Sequence, residues 1–146
     1  MLRVSSMVIY VMVKCSQGVA TVQYLVDKIW KVFKIRVDKQ AIHKAISKLK
    51  EEEIVDTMSK REFINRLMRV GATIEIVSNQ LEKLGDKDIA RYIMEANPKS
   101  LIIFLTGLNA EKANEYLSEA EKYLAQSEKK DRGVKDLLTR LKINVQ

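Results

Sequence analysis

Cys15 and His43 are the residues whose types best suit nucleophilic, acid–base or metal chemistry, and each is the only one of its kind among 146 residues. One thiol and one imidazole cannot build a structural zinc site, and a single cysteine forms no intrachain disulfide. The run Glu51–Glu53 resembles paired carboxylates, but consecutive helix residues point in different directions. The sequence contains no glycine-rich phosphate loop, nucleophile elbow or HExxH or CxxC motif. We therefore expect a protein that is not an enzyme and has no cofactor.

Basic side chains, by contrast, recur at close spacing. Between residues 28 and 50, eight lysines and arginines stand against one acid, Asp38. Residues 1–70 contain 14 Lys and Arg against 7 Asp and Glu, whereas residues 71–146 contain 12 of each, so the net charge of +7 lies wholly in the first half. Isolated lysines merely solubilise helix faces, but a solvated face usually mixes both signs. A strong excess of one sign favours a surface that binds nucleic acid or another acidic partner.

The elements that position these charges are predicted to be helices, because only five glycines and one proline interrupt the chain. Ser5 or Ser6 can cap a first helix that ends near Gly18, and Thr21 starts a second helix. The second helix has apolar residues at spacings of three and four, which we expect to be buried: Val22, Leu25, Val26, Ile29, Trp30 and Phe33.

A turn at residues 35–37 is predicted to precede a third helix over residues 39–52, for which Asp38 is a favourable N-cap. Its apolar stripe comprises Ala41, Ile42, Ala45, Ile46 and Leu49. Its other face carries Gln40, His43, Lys44, Ser47 and Lys48, which we expect to be exposed. A short extended piece follows at residues 54–57.

The remaining chain reads as further helices. Ser59 to Glu62 matches a capping box that opens a helix to about Leu84, and a short helix ends before Asn97. Residues 72–77 also have strand character, and residues 101–105 fit either a buried strand or a buried helical turn. Asn109 caps a clear helix to about residue 126, and a polar joint at 127–132 precedes a last helix at 132–142. The predicted fold class is mainly α, with a basic N-terminal helical triad and a C-terminal helical region.

The segment from Thr21 to Val55 resembles the helix-turn-helix core of winged-helix DNA-binding proteins. The supporting helix would begin at Thr21, Val37–Asp38 would form the turn and cap, and residues 40–49 would form the recognition helix. That family has a β-hairpin after the third helix. Because the capping box at Ser59 follows so closely, we expect the wing to be very short or missing.

The resemblance implies that the third helix lies in the major groove of DNA, with Gln40, His43, Lys44 and Ser47 facing base edges. The basic residues around it would contact phosphates and fix the register on the duplex. The candidate nucleic-acid-binding residues are Lys28, Lys31, Lys34, Arg36, Lys39, Gln40, His43, Lys44, Ser47 and Lys48.

Two domains are predicted: residues 1–58 as the helix-turn-helix-like unit, and residues 59–146 as a helical bundle or dimerisation region. The apolar stripes between residues 109 and 142 are available to a second chain, so a homodimer is expected, since such DNA-binding units often read two half-sites. No stretch approaches the roughly 20 apolar residues that span a bilayer. We expect a cytoplasmic protein without a membrane partner, and its abundant Lys, Ile, Val and Glu resemble the composition of thermophile proteins.

The function predicted from the sequence is non-catalytic binding of double-stranded DNA, in transcription regulation. One alternative is a basic helical protein that docks on a nucleoprotein machine, such as a viral inhibitor of RNA polymerase or the small subunit of a CRISPR effector. A second alternative is a helical virion or assembly protein. Binding to random and selected DNA distinguishes these classes. Sequence-dependent binding supports the regulator, sequence-blind binding with steep salt dependence supports the machine component, and no binding leaves assembly or a protein partner.

Overall fold

A computed structural model of the chain describes residues 2–69 and 87–145. The fold is mainly α, as predicted, with a small antiparallel sheet. In chain order the described elements are α1 (Val4–Lys14), β1 (Val19–Thr21), α2 (Val22–Phe33), α3 (Lys39–Glu51), β2 (Val55–Ser59), α4 (Lys60–Arg69), α5 (Lys87–Glu95), β3 (Leu101–Leu105) and α6 (Ala110–Val145). Within these residues, no helix is both long enough and apolar enough to cross a lipid bilayer.

The sheet has β3 at its centre, antiparallel to β1 on one side and to β2 on the other. Ile103 lies opposite Ala20 of β1 and Thr57 of β2. Residues 101–105 are therefore a strand, which settles the alternative that periodicity left open. The sequence predicted that the wing after α3 is very short or missing. In the structure, β2 follows α3 and pairs with β3, but residues 60–100 separate these two strands in sequence.

One hydrophobic core unites both halves of the chain. It includes Ile9 of α1, Ile29 of α2 and Leu49 of α3, together with Ile103 of β3 and Tyr116 of α6. The domain boundary predicted after residue 58 stays a prediction. The hydrophobic core contains side chains from both sides of that boundary.

Local capping signals predicted several helix starts correctly. The side chain of Thr21 accepts a hydrogen bond from Tyr24 N at 3.1 Å, and that of Asp38 accepts from Ala41 N at 2.7 Å. Ser59 and Asn109 accept from Glu62 N at 3.1 Å and Lys112 N at 3.3 Å. These bonds satisfy amide groups that a helix start leaves without intrahelical partners.

The predicted cap of α1 was wrong. Ser5 and Ser6 lie inside the helix and are buried, and Arg3 occupies the N-cap position without a side-chain hydrogen bond. The predicted joint at residues 127–132 was also wrong, because α6 continues through it. That stretch is polar but contains no proline, and its Glu, Lys and Arg residues are good helix formers.

The predicted helix from the capping box is confirmed over Lys60–Arg69, and the helix before Asn97 is confirmed as Lys87–Glu95. The rest of the first of these, together with the possible strand at 72–77, lies outside the described residues.

Candidate nucleic-acid interface

Helix α3 has one buried face and one exposed face. Ile42, Ala45, Ile46 and Leu49 are buried where α3 packs against α1 and α2. Six of the predicted site residues are exposed on the remaining surface of the helix: Lys39, Gln40, His43, Lys44, Ser47 and Lys48. The four central ones also line a common shallow depression, namely Gln40, His43, Lys44 and Ser47. The structure therefore brings these six predicted residues together on one helix.

The three lysines of this face differ from their neighbour Lys50 in their ion pairing. Within the described part of the chain, Lys39, Lys44 and Lys48 make no ion pair. The neighbouring Lys50 differs, because its Nζ lies 3.8 Å from Asp56 Oδ1 and 3.2 Å from Thr57 Oγ1. Glu51 is an exposed acid at the C-terminal end of the helix. The start and middle of α3 thus present three lysines without ion pairs among the described residues, and the acid at the start of the helix is the exposed N-cap Asp38, which lines the same depression.

A second group of predicted residues surrounds Trp30 at the end of α2. The Arg36 guanidinium carbon lies 4.3 Å from the centre of the Trp30 ring, and Lys34 Nζ lies 5.9 Å from it. Both are within the range of cation–π attraction. Lys31, Lys34 and Arg36 are exposed, but no hydrogen bond or ring contact among the described residues joins them to the exposed side chains of α3. We call Trp30, Lys31, Lys34 and Arg36 the Trp30 cluster.

Trp30 itself was predicted to be buried, and that prediction was wrong, because 39% of its surface is exposed. The apolar stripe of α2 is wider than the surface that its neighbours cover. Leu25, Ile29 and Phe33 point into the core, and Trp30 lies at the edge of the stripe. The tenth predicted residue, Lys28, is half-buried, with its Nζ 6.0 Å from the centre of the Tyr24 ring.

A cavity of about 490 Å³ adjoins the start of α3, and sequence reasoning missed it. It lies between the first residues of α2, the first turn of α3 and the segment that joins α5 to β3. Its polar lining residues are Thr21, Gln23, Lys39, His43, Tyr92, Glu95, Lys99 and Ser100. Lys99 had no local signal to mark it, because it lies more than fifty residues from Lys39 in sequence.

Tyr92 fixes the α5 wall of this cavity against α2. Its hydroxyl donates a hydrogen bond to Asp27 Oδ2, and Asp27 Oδ1 accepts a second bond from Gln23 Nε2 at 3.0 Å. The Tyr92 ring also meets the Tyr24 ring edge-on, with 5.4 Å between centroids. Burial, followed by the bond to Asp27, raises the pKa of Tyr92 to about 12, so the hydroxyl stays protonated and remains a donor near neutral pH.

Within the described residues, no group of three or more His, Cys, Asp and Glu side chains is placed to hold a metal ion. The α3 face presents hydrogen-bonding side chains and lysine ammonium groups. Comparison with protein-family models, curated proteins and solved structures gave no match.

Proposed function

We propose that the protein is a non-catalytic DNA-binding protein that acts in transcription regulation and inserts α3 into the major groove. One observation carries the proposal: α3 buries a wholly apolar stripe and exposes three lysines that form no ion pair with any described side chain, together with Gln40, His43 and Ser47. Such a face is suited to a polyanion with hydrogen-bonding base edges.

The order of the elements supports the proposal. Three helices precede β2, as the winged-helix resemblance implies, and β2 pairs antiparallel with β3, although α4 and α5 stand between these two strands in sequence. Between β2 and β3, where the resemblance implies the tip of a wing hairpin, the described residues 60–69 and 87–100 include α4 and α5. The wing in this proposal is thus replaced by a longer segment that includes α4 and α5.

In the proposed complex, some side chains would contact bases and others would contact phosphates. Gln40 can pair with adenine through two hydrogen bonds, and Lys44 can reach the acceptors of guanine. Lys39 and Lys48 would contact phosphates on either side of the groove and fix the register. Neutralising these two phosphates would make log K fall with log salt at a slope of about −2. A homodimer through residues 109–142 stays a prediction.

Fluorescence anisotropy with selected and scrambled duplexes, across a salt series, tests the proposal. We expect the double variant K44A/K48A to bind more weakly and to lower the magnitude of the salt slope by about 1 to 2. The matched control is K122A/K129A, which removes the same charge from exposed positions of α6. Equal losses in both variants, or no binding by the unaltered protein, would contradict the proposal.

A second candidate function is docking on a nucleoprotein machine, and the Trp30 cluster favours it. An exposed tryptophan stacked by an arginine is of the type enriched at the centres of protein interfaces. This candidate predicts equal affinity for all DNA sequences, or binding only with the partner present. In the same anisotropy series, sequence-blind binding supports it over the regulator.

A further inference from the structure

The cavity beside α3 is assembled from segments that are distant in sequence. Lys39 and His43 come from the first turns of α3, and Lys99 comes from the segment that follows α5. Lys39 and Lys99 are exposed and, in the described part of the chain, neither is ion-paired. The one acid in the lining is Glu95. Two exposed lysines without described ion pairs therefore line one cavity of about 490 Å³.

Lys99 is held in place by backbone hydrogen bonds. Its amide donates to Asn97 Oδ1 at 3.0 Å, and the amide of Ser100 donates to Asn97 O at 2.8 Å. Lys60 and Arg61 extend the pairing of β2 beyond its end, because their amides donate to Ser100 O at 2.8 Å and Pro98 O at 3.0 Å. The loop that carries Lys99 is thereby tied to the sheet.

The end of α5 is tied to the same place. Lys60 Nζ donates to Met94 O at 2.6 Å and to Ala96 O at 2.7 Å, which satisfies carbonyl groups that the helix end leaves without partners. On the other wall, the bond from Tyr92 to Asp27 joins α5 to α2. These bonds fix the backbone on two sides of the cavity, so a bound anion would have to order the exposed Lys39 and Lys99 side chains but not the segments that carry them.

We propose that this cavity binds a phosphate group of the DNA strand that borders α3, with Lys99 and Lys39 as its cations. The first turn of α2 lines the same cavity, and the N-terminal end of a helix carries partial positive charge. His43 lies at the boundary, because it lines both this cavity and the depression on the α3 face. The segment after α5, residues 96–100, would therefore contribute a contact to the DNA strand in the place of a wing tip. This inference rests on the function proposed above.

The test is the salt dependence of DNA binding by K99A. We expect affinity to fall to a similar extent for selected and scrambled duplexes, and the magnitude of the salt slope to fall by about 1, because one phosphate contact is lost. K99R should restore the slope, since it retains the charge. K122A is the matched control and should bind as the unaltered protein does. An unchanged slope in K99A would overturn the phosphate site and leave the DNA-binding proposal standing.

A second readout uses His43, whose ring is the only imidazole in the chain and gives a unique NMR signal. The probe is inorganic phosphate, titrated at constant pH with ionic strength matched by chloride. We expect a saturable shift of the His43 ring protons that K99A weakens and K122A does not. No phosphate-specific shift would count against the site.

The two proposals fail in different ways. If the unaltered protein binds no duplex, the DNA function and the strand assignment both fail. A phosphate shift at His43 that depends on Lys99 would, in that case, reassign the cavity to a free phosphorylated compound. If the duplex binds and K99A alone is without effect on both readouts, only the cavity assignment fails.

Discussion

Tyr92 and Tyr116 each join two elements through a hydroxyl that donates to a carboxylate. Tyr92 bonds Asp27 of α2, and Tyr116, which is fully buried, bonds Glu52 Oε1 at 2.6 Å just after α3. In both residues burial makes the largest contribution and the hydrogen bond the next, and together they raise the pKa to about 12. Each hydroxyl thus holds its proton more strongly in the folded chain than in the unfolded chain.

The free energy of unfolding should therefore fall as pH rises from about 10 to about 12. Below pH of about 10 both states keep the tyrosine protons, whereas above it the unfolded chain ionises first. Urea unfolding midpoints measured between pH 9 and 11.5 check this prediction. Y92F and Y116F should each flatten the dependence relative to the unaltered protein.

Y123F is the control for that series. Tyr123 packs against the core, but its hydroxyl makes no hydrogen bond within the described residues. A flattening as large in Y123F as in the other two variants would refute the assignment to Tyr92 and Tyr116.

Single residues also show where sequence reasoning stops. The exposure of Gln40, Lys44 and Lys48 was predicted, because helix periodicity alone assigns them to the face opposite Ile42 and Leu49. The exposure of Trp30 was not predicted. Helix periodicity places Trp30 on the apolar stripe of α2, but it does not show how much of that stripe the neighbouring elements cover. Lys99 was missed for a related reason, because only the folded chain brings it to the cavity that Lys39 also lines.

At the scale of elements, β3 holds the sheet together. Every ladder of the sheet includes it, and Ile102 and Ile103 are fully buried. The sequence left this apolar run undecided, because a short run without alternation fits a strand and a helical turn equally well. Pairing with β1 and β2 on both edges decided it.

I103A should lower the free energy of unfolding by about 2 to 5 kcal/mol, because truncation leaves a cavity at the centre of the sheet. L108A, in the loop after β3, should change it by less than about 0.5 kcal/mol. Leu108 is the matched control, being an aliphatic side chain of the same size that is 74% exposed. Urea denaturation followed by circular dichroism measures both, and similar losses would contradict the central role of β3.

At the scale of the whole molecule, the basic half depends on the neutral half. The core that supports α3 includes Tyr116 and Ala120 of α6, and Arg3 binds Glu119 through Nε at 3.0 Å from Oε2 and through its terminal nitrogen. Strand β2 also takes its only described partner strand from residues 101–105. The surface that would meet DNA is therefore carried by the entire described fold.

A fragment of residues 1–58 should consequently fail to fold cooperatively. It would lack the central strand and the α6 side chains that cover α1, so apolar surface of α1 and β1 would face water. Circular dichroism melting and the dispersion of amide NMR signals check this, with the full chain as reference. A sharp melt and dispersed signals from the fragment would instead support residues 1–58 as an independent domain.

The sequence by itself determined the features that depend on neighbours three or four residues apart: the helices, most of their caps, and the exposed face of α3. These follow from helix periodicity and from side chains that bond nearby amide groups. The tertiary structure alone decided that β3 pairs with β2, that Trp30 is exposed, and that Lys99 and Lys39 line one cavity. Each of these features depends on contacts between residues that are distant in sequence. The spacing of residue types within a short segment does not specify which distant segments come into contact.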